Sequence, residues 1–286
     1  MRQQQALLQR NNRAGFKAGA LNAALDHLVS KREQFSFILF FDADHVPRAS
    51  LSLLRSRLAS PGFPRVAQFF WDDGLPLEGP IDWLTYSARH YSNWNIYNRS
   101  FTNLTGSAMA IDYSLIVQGL RFPDSVTEDY ALSLALAKAG ERIEVVPLVL
   151  SIGKSPKDFR AFVKQQMRWA EGTIRDAIDN AHLLKDLGWS GKMDFILHAN
   201  MYAQGIWILL SAISLFLLGV RIDYVALALI AVQLVAYFAT LRKAPKRFWP
   251  FYFVLNYVMA PFQIYACVKG LLQVSGHFRR TVKFGE

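Results

Sequence analysis

The sequence predicts an α/β fold, an open sheet flanked by helices, followed by helices embedded in lipid. Three observations carry that expectation. Apolar residues recur at helical spacing through Ala18, Leu21, Leu25 and Leu28, and the run "FSFILFF" that follows reads as a strand buried on both faces. Strand and helix patterns keep alternating downstream, as an open α/β sheet requires. From Phe195 to Val220 no Asp, Glu, Lys or Arg interrupts the chain, a length sufficient to cross a hydrocarbon core of about 30 Å as a helix.

Taken in order, the first helix is expected from Ala14 to Val29, feeding a parallel strand at "FILFF". "RVAQFF" (65–70), "NLTGSAMAI" (103–111) and "IEVVP" (143–147) read as further strands, and "EDYALSLALAKAG" (128–140) as a helix stopped by Gly140. "DDGLPLEGP" reads as a loop and "IDWLTYSARHYSNWNIYN" as an aromatic-rich helical segment. Ser155 before Pro156 and Asp158 reads as a helix start with Pro at the first helical position. The helix from Phe159 to Leu184 carries an apolar stripe of Val163, Met167, Ala170, Ile174, Ile178 and Ala181. Gln165, Arg168 and Trp169 lie opposite that stripe, with Gly172 leaving room for a ligand or a neighbouring backbone.

Two spans, 195–220 and 224–241, are expected as a hairpin turning at "RID". Segment 248–274 has the length to span, yet basic runs flank both of its ends, "RKAPKR" and "HFRRTVK", and the positive-inside rule puts both on one face. With Pro261 in its middle it is expected to be interfacial or re-entrant.

The 286 residues carry a net charge of +10, but residues 194–286 hold nine Lys or Arg against three Asp or Glu, and residues 1–193 hold 23 against 19. The excess is juxtamembrane, which argues against a nucleic-acid partner. A single cysteine, Cys267, excludes an intramolecular disulfide. The polar N-terminus "MRQQQALLQRNNRAGFKAG" lacks the apolar segment of a signal peptide.

Three constellations can carry chemistry. Asp42 and Asp44 fall outside the carboxyl end of a strand, where ligands bind in open sheets. Hard oxygen ligands there suit Mg²⁺ or Mn²⁺ shared with phosphates, but by itself the pair is a weak signal, the alternative being a strand-end turn solvated by carboxylates. In "VTEDYALSL", Thr127 can cap a helix whose first turn holds Glu128 and Asp129; the reading is either capping or general-base work on a hydroxyl. In "QQMRWAEG", Trp169 is a stacking platform and Arg168 suits diphosphate oxygens, the alternative being an interfacial tryptophan on a membrane-surface helix.

Together, "FKAGALNAAL" (16–25), "DAD" (42–44), "TGSA" (105–108), "TED" (127–129), "QQMRW" (165–169) and "FRRTVK" (278–283) resemble a membrane-integrated family 2 glycosyltransferase of the cellulose-synthase-like kind. The resemblance implies a GT-A fold, with a partial catalytic domain at 1–153, an interfacial helix region at 154–193 and a membrane region at 194–286. It implies that Asp42 and Asp44 contact nucleotide diphosphate and a Mg²⁺ or Mn²⁺ ion, and that Asp129, beside Glu128, is the base. Gln165 and Arg168 would face the diphosphate, Trp169 would stack on the acceptor sugar, and Lys17 would lie near the nucleotide. Phe278, Thr281 and Lys283 match an F-x-V-T-x-K gating loop, with Arg280 in place of the valine. Family members have an earlier β-α-β portion that reads the uracil, so the chain is expected to be part of a longer enzyme.

The expected function is inverting transfer from a UDP-sugar to a growing glycan or lipid acceptor, by a multi-pass protein of the inner membrane with a cytoplasmic catalytic domain. A processive β-glycan synthase is preferred because Trp169 lies just ahead of the membrane segment. A single-transfer glycolipid synthase is the enzymatic alternative. A catalytically silent membrane scaffold or sugar-binding subunit is the other, disfavoured because a mere scaffold has no need of all three of Asp44, Asp129 and Arg168.

Overall fold

The computed structural model describes residues 8–10, 12, 14–48, 51–73, 93, 101–217, 231 and 249–272. Helix α1, Phe16–Ser30, leads into β1, Phe37–Phe40, then β2, Val46–Pro47, and α2, Leu51–Leu58. Strand β3, Val66–Asp73, is followed by β4, Met109–Asp112, and the short helix α3, Tyr113–Val117. Next come α4, Glu128–Lys138, and β5, Ile143–Gly153. The aromatic-rich segment 81–98 lies outside the described residues except Asn93, and so does the predicted loop at 74–79.

The five strands form one sheet in the order β1-β4-β3-β5-β2. Strands β3 and β5 are parallel, whereas β4 runs antiparallel to both β1 and β3, and β2 antiparallel to β5. The expected parallel setting of β1 is therefore corrected: Phe37 lies opposite Asp112 and Phe40 opposite Met109, in an antiparallel pair. A helix-then-strand pattern specifies a strand but not the direction of a neighbour 70 residues away, which only pairing decides. Residues 37–39 are half-buried rather than enclosed on both faces.

The predicted strand 103–111 is likewise shortened. Backbone φ values of 80° at Gly106 and 53° at Ala108 break the extended run, so "NLTGSA" forms a loop and only Met109–Asp112 enter the sheet. Alternate residues then serve opposite faces. Met109 and Ile111 pack with Ala18, Leu25, Leu132 and Leu136 on one side. Ala108 and Ala110 pack with Leu54, Phe69, Trp71 and Leu150 on the other. Each large side chain so enclosed contributes about 1.5–3 kcal/mol.

Helix α4 is apolar around most of its circumference because it is buried on two sides. Leu132 and Leu136 meet the sheet, while Tyr130 and Leu134 meet Phe101, Ala177, Leu183 and Phe195. As the sequence predicts, the helix ends just before Gly140, whose φ is 76°.

Helix α5, Phe159–Asp179, starts at Asp158, whose carboxylate accepts the Ala161 N–H at 2.7 Å. This corrects the expected start at Ser155 and Pro156: the carboxylate nearest the first turn supplies the cap. The predicted apolar stripe is buried at Val163, Ala170 and Ile174, but Ile178 is exposed and Ala181 falls in a 3-10 turn, Ala181–Lys185.

Helices α6, Trp189–Leu217, and α7, Trp249–Leu271, complete the described chain, α7 lying along both α5 and α6. The predicted span 195–220 falls on α6, yet its first turns belong to the protein interior. Asp194 accepts the Phe101 N–H at 3.1 Å, Phe195 is buried beside Phe101, and the His198 ring lies tilted against Tyr130 with centroids 4.6 Å apart. No helix among the described residues is long and apolar enough to cross a membrane. The second predicted span, 224–241, lies outside the described residues except for residue 231. The segment expected to be interfacial or re-entrant forms α7, which continues through Pro261.

Candidate active site

Three turns and two helices bring the chemistry together. After β1 the chain turns at "DADH", closed by the His45 N–H donating to the Asp42 carbonyl at 2.9 Å. Asp42, Asp44 and His45 present ligand atoms that all lie within 4.8 Å of one another. The imidazole is fixed by two hydroxyls: its Nδ1 is 2.7 Å from Ser107 Oγ and 3.1 Å from Ser151 Oγ, and the ring lies against Trp71. Ser107 Oγ also accepts the Asp42 N–H at 3.1 Å, so the "TGSA" loop braces the turn.

Lys17, in the first turn of α1, stands at the centre. Its Nζ is 2.6 Å from Asp42 Oδ1 and 2.8 Å from Glu128 Oε1, and donates to the Gly106 carbonyl at 3.1 Å. Burial alone would lower its pKa, but Asp42, Glu128 and Asp129 outweigh that and raise it. The lysine therefore stays charged and ties the DAD and TED turns to one point.

Asp129 Oδ1 accepts the Tyr130 N–H at 2.8 Å. Its other oxygen lies 2.9 Å from where a side chain at Gly106 would begin. With φ at 80° as well, only glycine satisfies position 106. Burial first, and the Glu128 charge second, push the Asp129 carboxyl up to about 7, against the opposing pull of Lys17. A carboxylate so poised suits general-base work near neutral pH. Thr127 does not cap α4 as predicted: its hydroxyl donates to Asp176 on α5 at 2.6 Å instead.

Helix α5 closes the site. Arg168 is half-buried, and burial lowers its pKa while Glu128, Asp129 and Asp42 act in the opposite direction. It thus lies in the field of the same carboxylates. Gln165 is buried and Trp169 half-buried on the same helix. The room predicted at Gly172 is used by protein, since a side chain there would begin 2.6 Å from Thr127 Oγ1. Phe278, Thr281 and Lys283 lie outside the described residues.

Residues 37–240 match glycosyl transferase family group 2, a stretch that includes the DAD, TED and Q-x-x-R-W turns and helix. The chain belongs to this family.

Among relatives of the chain, the cellulose synthase catalytic subunit (UDP-forming) of Xanthomonas axonopodis pv. citri is 28% identical over 207 residues, 65% of this chain and 26% of the relative. An N-acetylglucosaminyltransferase of Bradyrhizobium diazoefficiens is 35% identical over 92 residues, 32% of this chain and 18% of the relative. A probable glucomannan 4-beta-mannosyltransferase of Oryza sativa subsp. japonica is 27% identical over 188 residues, 63% of this chain and 31% of the relative. The chain thus spans between about a fifth and a third of the length of these relatives. A mannosyltransferase from Pyrobaculum calidifontis, solved with GDP-Man and Mn²⁺, shares the fold with a TM-score of 0.54 at 22% identity, over 94% of this chain and 70% of that one.

The donor set fits a divalent ion: the Asp42 and Asp44 carboxylates are hard oxygen ligands of the kind that suit Mg²⁺ or Mn²⁺, with the His45 imidazole beside them. The sequence alone gives His45 no role, although it directly follows the aspartates. Two further residues were missed. Gln68, wholly buried, accepts the Thr105 N–H at 2.9 Å and donates to the Ser107 carbonyl at 2.9 Å, pinning the "TGSA" loop to β3. A glutamine inside the apolar run "RVAQFF" was its signal. Asp176, in the last turn of α5, is the other.

Proposed function

We propose that this chain carries the donor and base sites of an inverting enzyme that uses a UDP-sugar to extend a β-linked polysaccharide processively at a membrane. The observation that carries this reading is Lys17, which gathers Asp42 of the DAD turn and Glu128 of the TED turn around a single ammonium. That arrangement supports a diphosphate site beside a carboxylate raised to about 7. Asp129 takes the proton of the acceptor hydroxyl as its oxygen bonds to the anomeric carbon. The bond from that carbon to the diphosphate breaks, UDP departs with the electron pair, and the configuration inverts. Mg²⁺ or Mn²⁺ held by Asp42, Asp44 and His45 would supply positive charge for the departing diphosphate. Arg168 adds to it from α5, Gln165 lies one turn before it, and Trp169 offers a ring to the acceptor sugar.

Contact with a bilayer is supported by exposed Leu209, Leu210, Ile213 and Phe216 on α6 and by Val258, Tyr265, Val268, Leu271 and Leu272 at the end of the chain described. Such a surface fits a catalytic domain on the cytoplasmic face that hands its product to the membrane region. Incubating the full-length enzyme with UDP-glucose, UDP-N-acetylglucosamine and GDP-mannose, each with Mg²⁺ or Mn²⁺, and sizing the product tests the proposal. Long β-linked chains from a UDP-sugar are expected. One sugar added to lipid would replace processive synthesis with single transfer, and no transfer from any donor would sink the assignment.

A further inference from the structure

We propose that Asp176 is a positioning residue for the base Asp129, acting through Ser125 and Thr127 on the turn that carries it; this rests on the proposed role of Asp129. Asp176 is 7% exposed, on the side of α5 that faces the TED turn. Its carboxylate accepts the Ser125 hydroxyl at 2.9 and 2.8 Å and the Thr127 hydroxyl at 2.6 Å. Ser125 Oγ in turn accepts the Thr127 N–H at 3.1 Å. Both hydroxyls of the segment leading into Glu128 and Asp129 therefore converge on one carboxylate of another helix.

Helix stability does not call for this arrangement. A threonine at this position would ordinarily turn its oxygen back onto the helix N–H groups, and Thr127 gives that up. A buried carboxylate also carries a desolvation cost that a neutral side chain would avoid. What the contact supplies is a fixed lateral relation between the turn and α5, the helix that bears Gln165, Arg168 and Trp169. Gly172, four residues before Asp176 and on the same face, is shaped for it: a side chain there would begin 2.6 Å from Thr127 Oγ1 and 2.7 Å from its Cγ2. At the far end of the turn there is little slack, because Asp129 already abuts Gly106. A displacement of about 1 Å at a reacting group costs on the order of 10²-fold in rate.

The test uses the full-length enzyme and the variants Asp176→Asn, Thr127→Val, Thr127→Ser and the double variant Asp176→Asn with Thr127→Val. Asp176→Asn and Thr127→Val should each lower kcat about 10–100-fold while donor KM and UDP affinity stay within about threefold. Thr127→Ser, which keeps the hydroxyl, should restore most of kcat. The double variant should be no worse than the poorer single variant, since both changes act on the same Asp176–Thr127 contact. Wild-type kcat in Asp176→Asn, losses that multiply in the double variant, or a loss of UDP affinity equal to that in kcat would overturn the proposal. Amide exchange gives a reading independent of turnover. If the wild type transfers no sugar, the transferase assignment falls, whereas faster exchange confined to 125–131 in Asp176→Asn and Thr127→Val still upholds the anchor. Unchanged exchange in that segment would remove it.

Discussion

As the proposed base, Asp129 must lose its proton before it can accept one, and burial together with Glu128 pushes its carboxyl up to about 7. The rate is therefore expected to fall as pH drops below that value, with kcat/KM following a single ionisation on the acid side. Lys17 opposes the rise, so Lys17→Met should move the acid limb to higher pH as well as weaken nucleotide binding. A pH–rate profile of both proteins checks the direction; a limb that stays in place would separate Lys17 from the base. Asp129→Asn should lower transfer by about 10²–10⁴-fold or more while leaving UDP binding intact by calorimetry. The acidic residues behind these predictions were legible because they stand at element ends, where an apolar pattern stops. His45, Gln68 and Asp176 were not, since each owes its role to partners distant in sequence. Ser107 lies 62 residues from His45, and Thr127 lies 49 from Asp176.

Elements were more legible than the contacts between them. Helices α1, α4 and α5 follow from spacing, and β3 and β5 from their apolar runs, but β4 loses its first half to the left-handed backbone at Gly106 and Ala108. Nothing in "NLTGSAMAI" marks that break except one glycine. The packing of α5 on the start of α4 was also hidden, and it carries a pH signature. Burial raises the Asp176 carboxyl from 3.8 to about 6, the Thr127 and Ser125 hydroxyls pulling the other way. The folded state thus holds its proton where the unfolded chain has released it. The associated stability is full below pH ~4 and is lost as pH rises to about 6, by up to about 3 kcal/mol. Asp176→Asn has no such proton to lose, so its stability relative to wild type should improve between pH 4 and pH 7 in urea unfolding. A constant difference would place Asp176 in a less buried setting. Gly172→Ala tests the same contact sterically and should cost about 1–3 kcal/mol, because its added carbon meets Thr127.

At the scale of the whole molecule, the question is how firmly α7 is joined to the catalytic body, and a single sulfur can answer it. Cys267, the one cysteine in the chain, is 1% exposed and donates to the Tyr202 carbonyl of α6 at 3.2 Å. Two residues on, Lys269 pairs with Glu171 of α5 at 2.9 Å. Gly270 leaves only enough room for α5, since a side chain there would begin 2.9 Å from the Glu171 carbonyl. Farther back, Met259 packs with Phe162 and Val163. Glu171 belongs to the same turn as Trp169, so the docking of α7 bears directly on the helix proposed to hold the acceptor. Native Cys267 should accordingly react with a thiol reagent far more slowly than the unfolded chain does. Lys269→Ala leaves Glu171 unpaired at a half-buried site and should weaken the docking by roughly 1–2 kcal/mol. Each 1.4 kcal/mol is a tenfold change in an opening equilibrium, so labelling should accelerate about 5–30-fold while the urea midpoint of the catalytic body barely moves. Gly270→Val, which presses α7 away from α5, should accelerate it further. Labelling of the wild type at the unfolded rate would mean that α7 is not docked in solution, and equal acceleration with a large drop in the urea midpoint would mean that α7 and the sheet unfold as one unit.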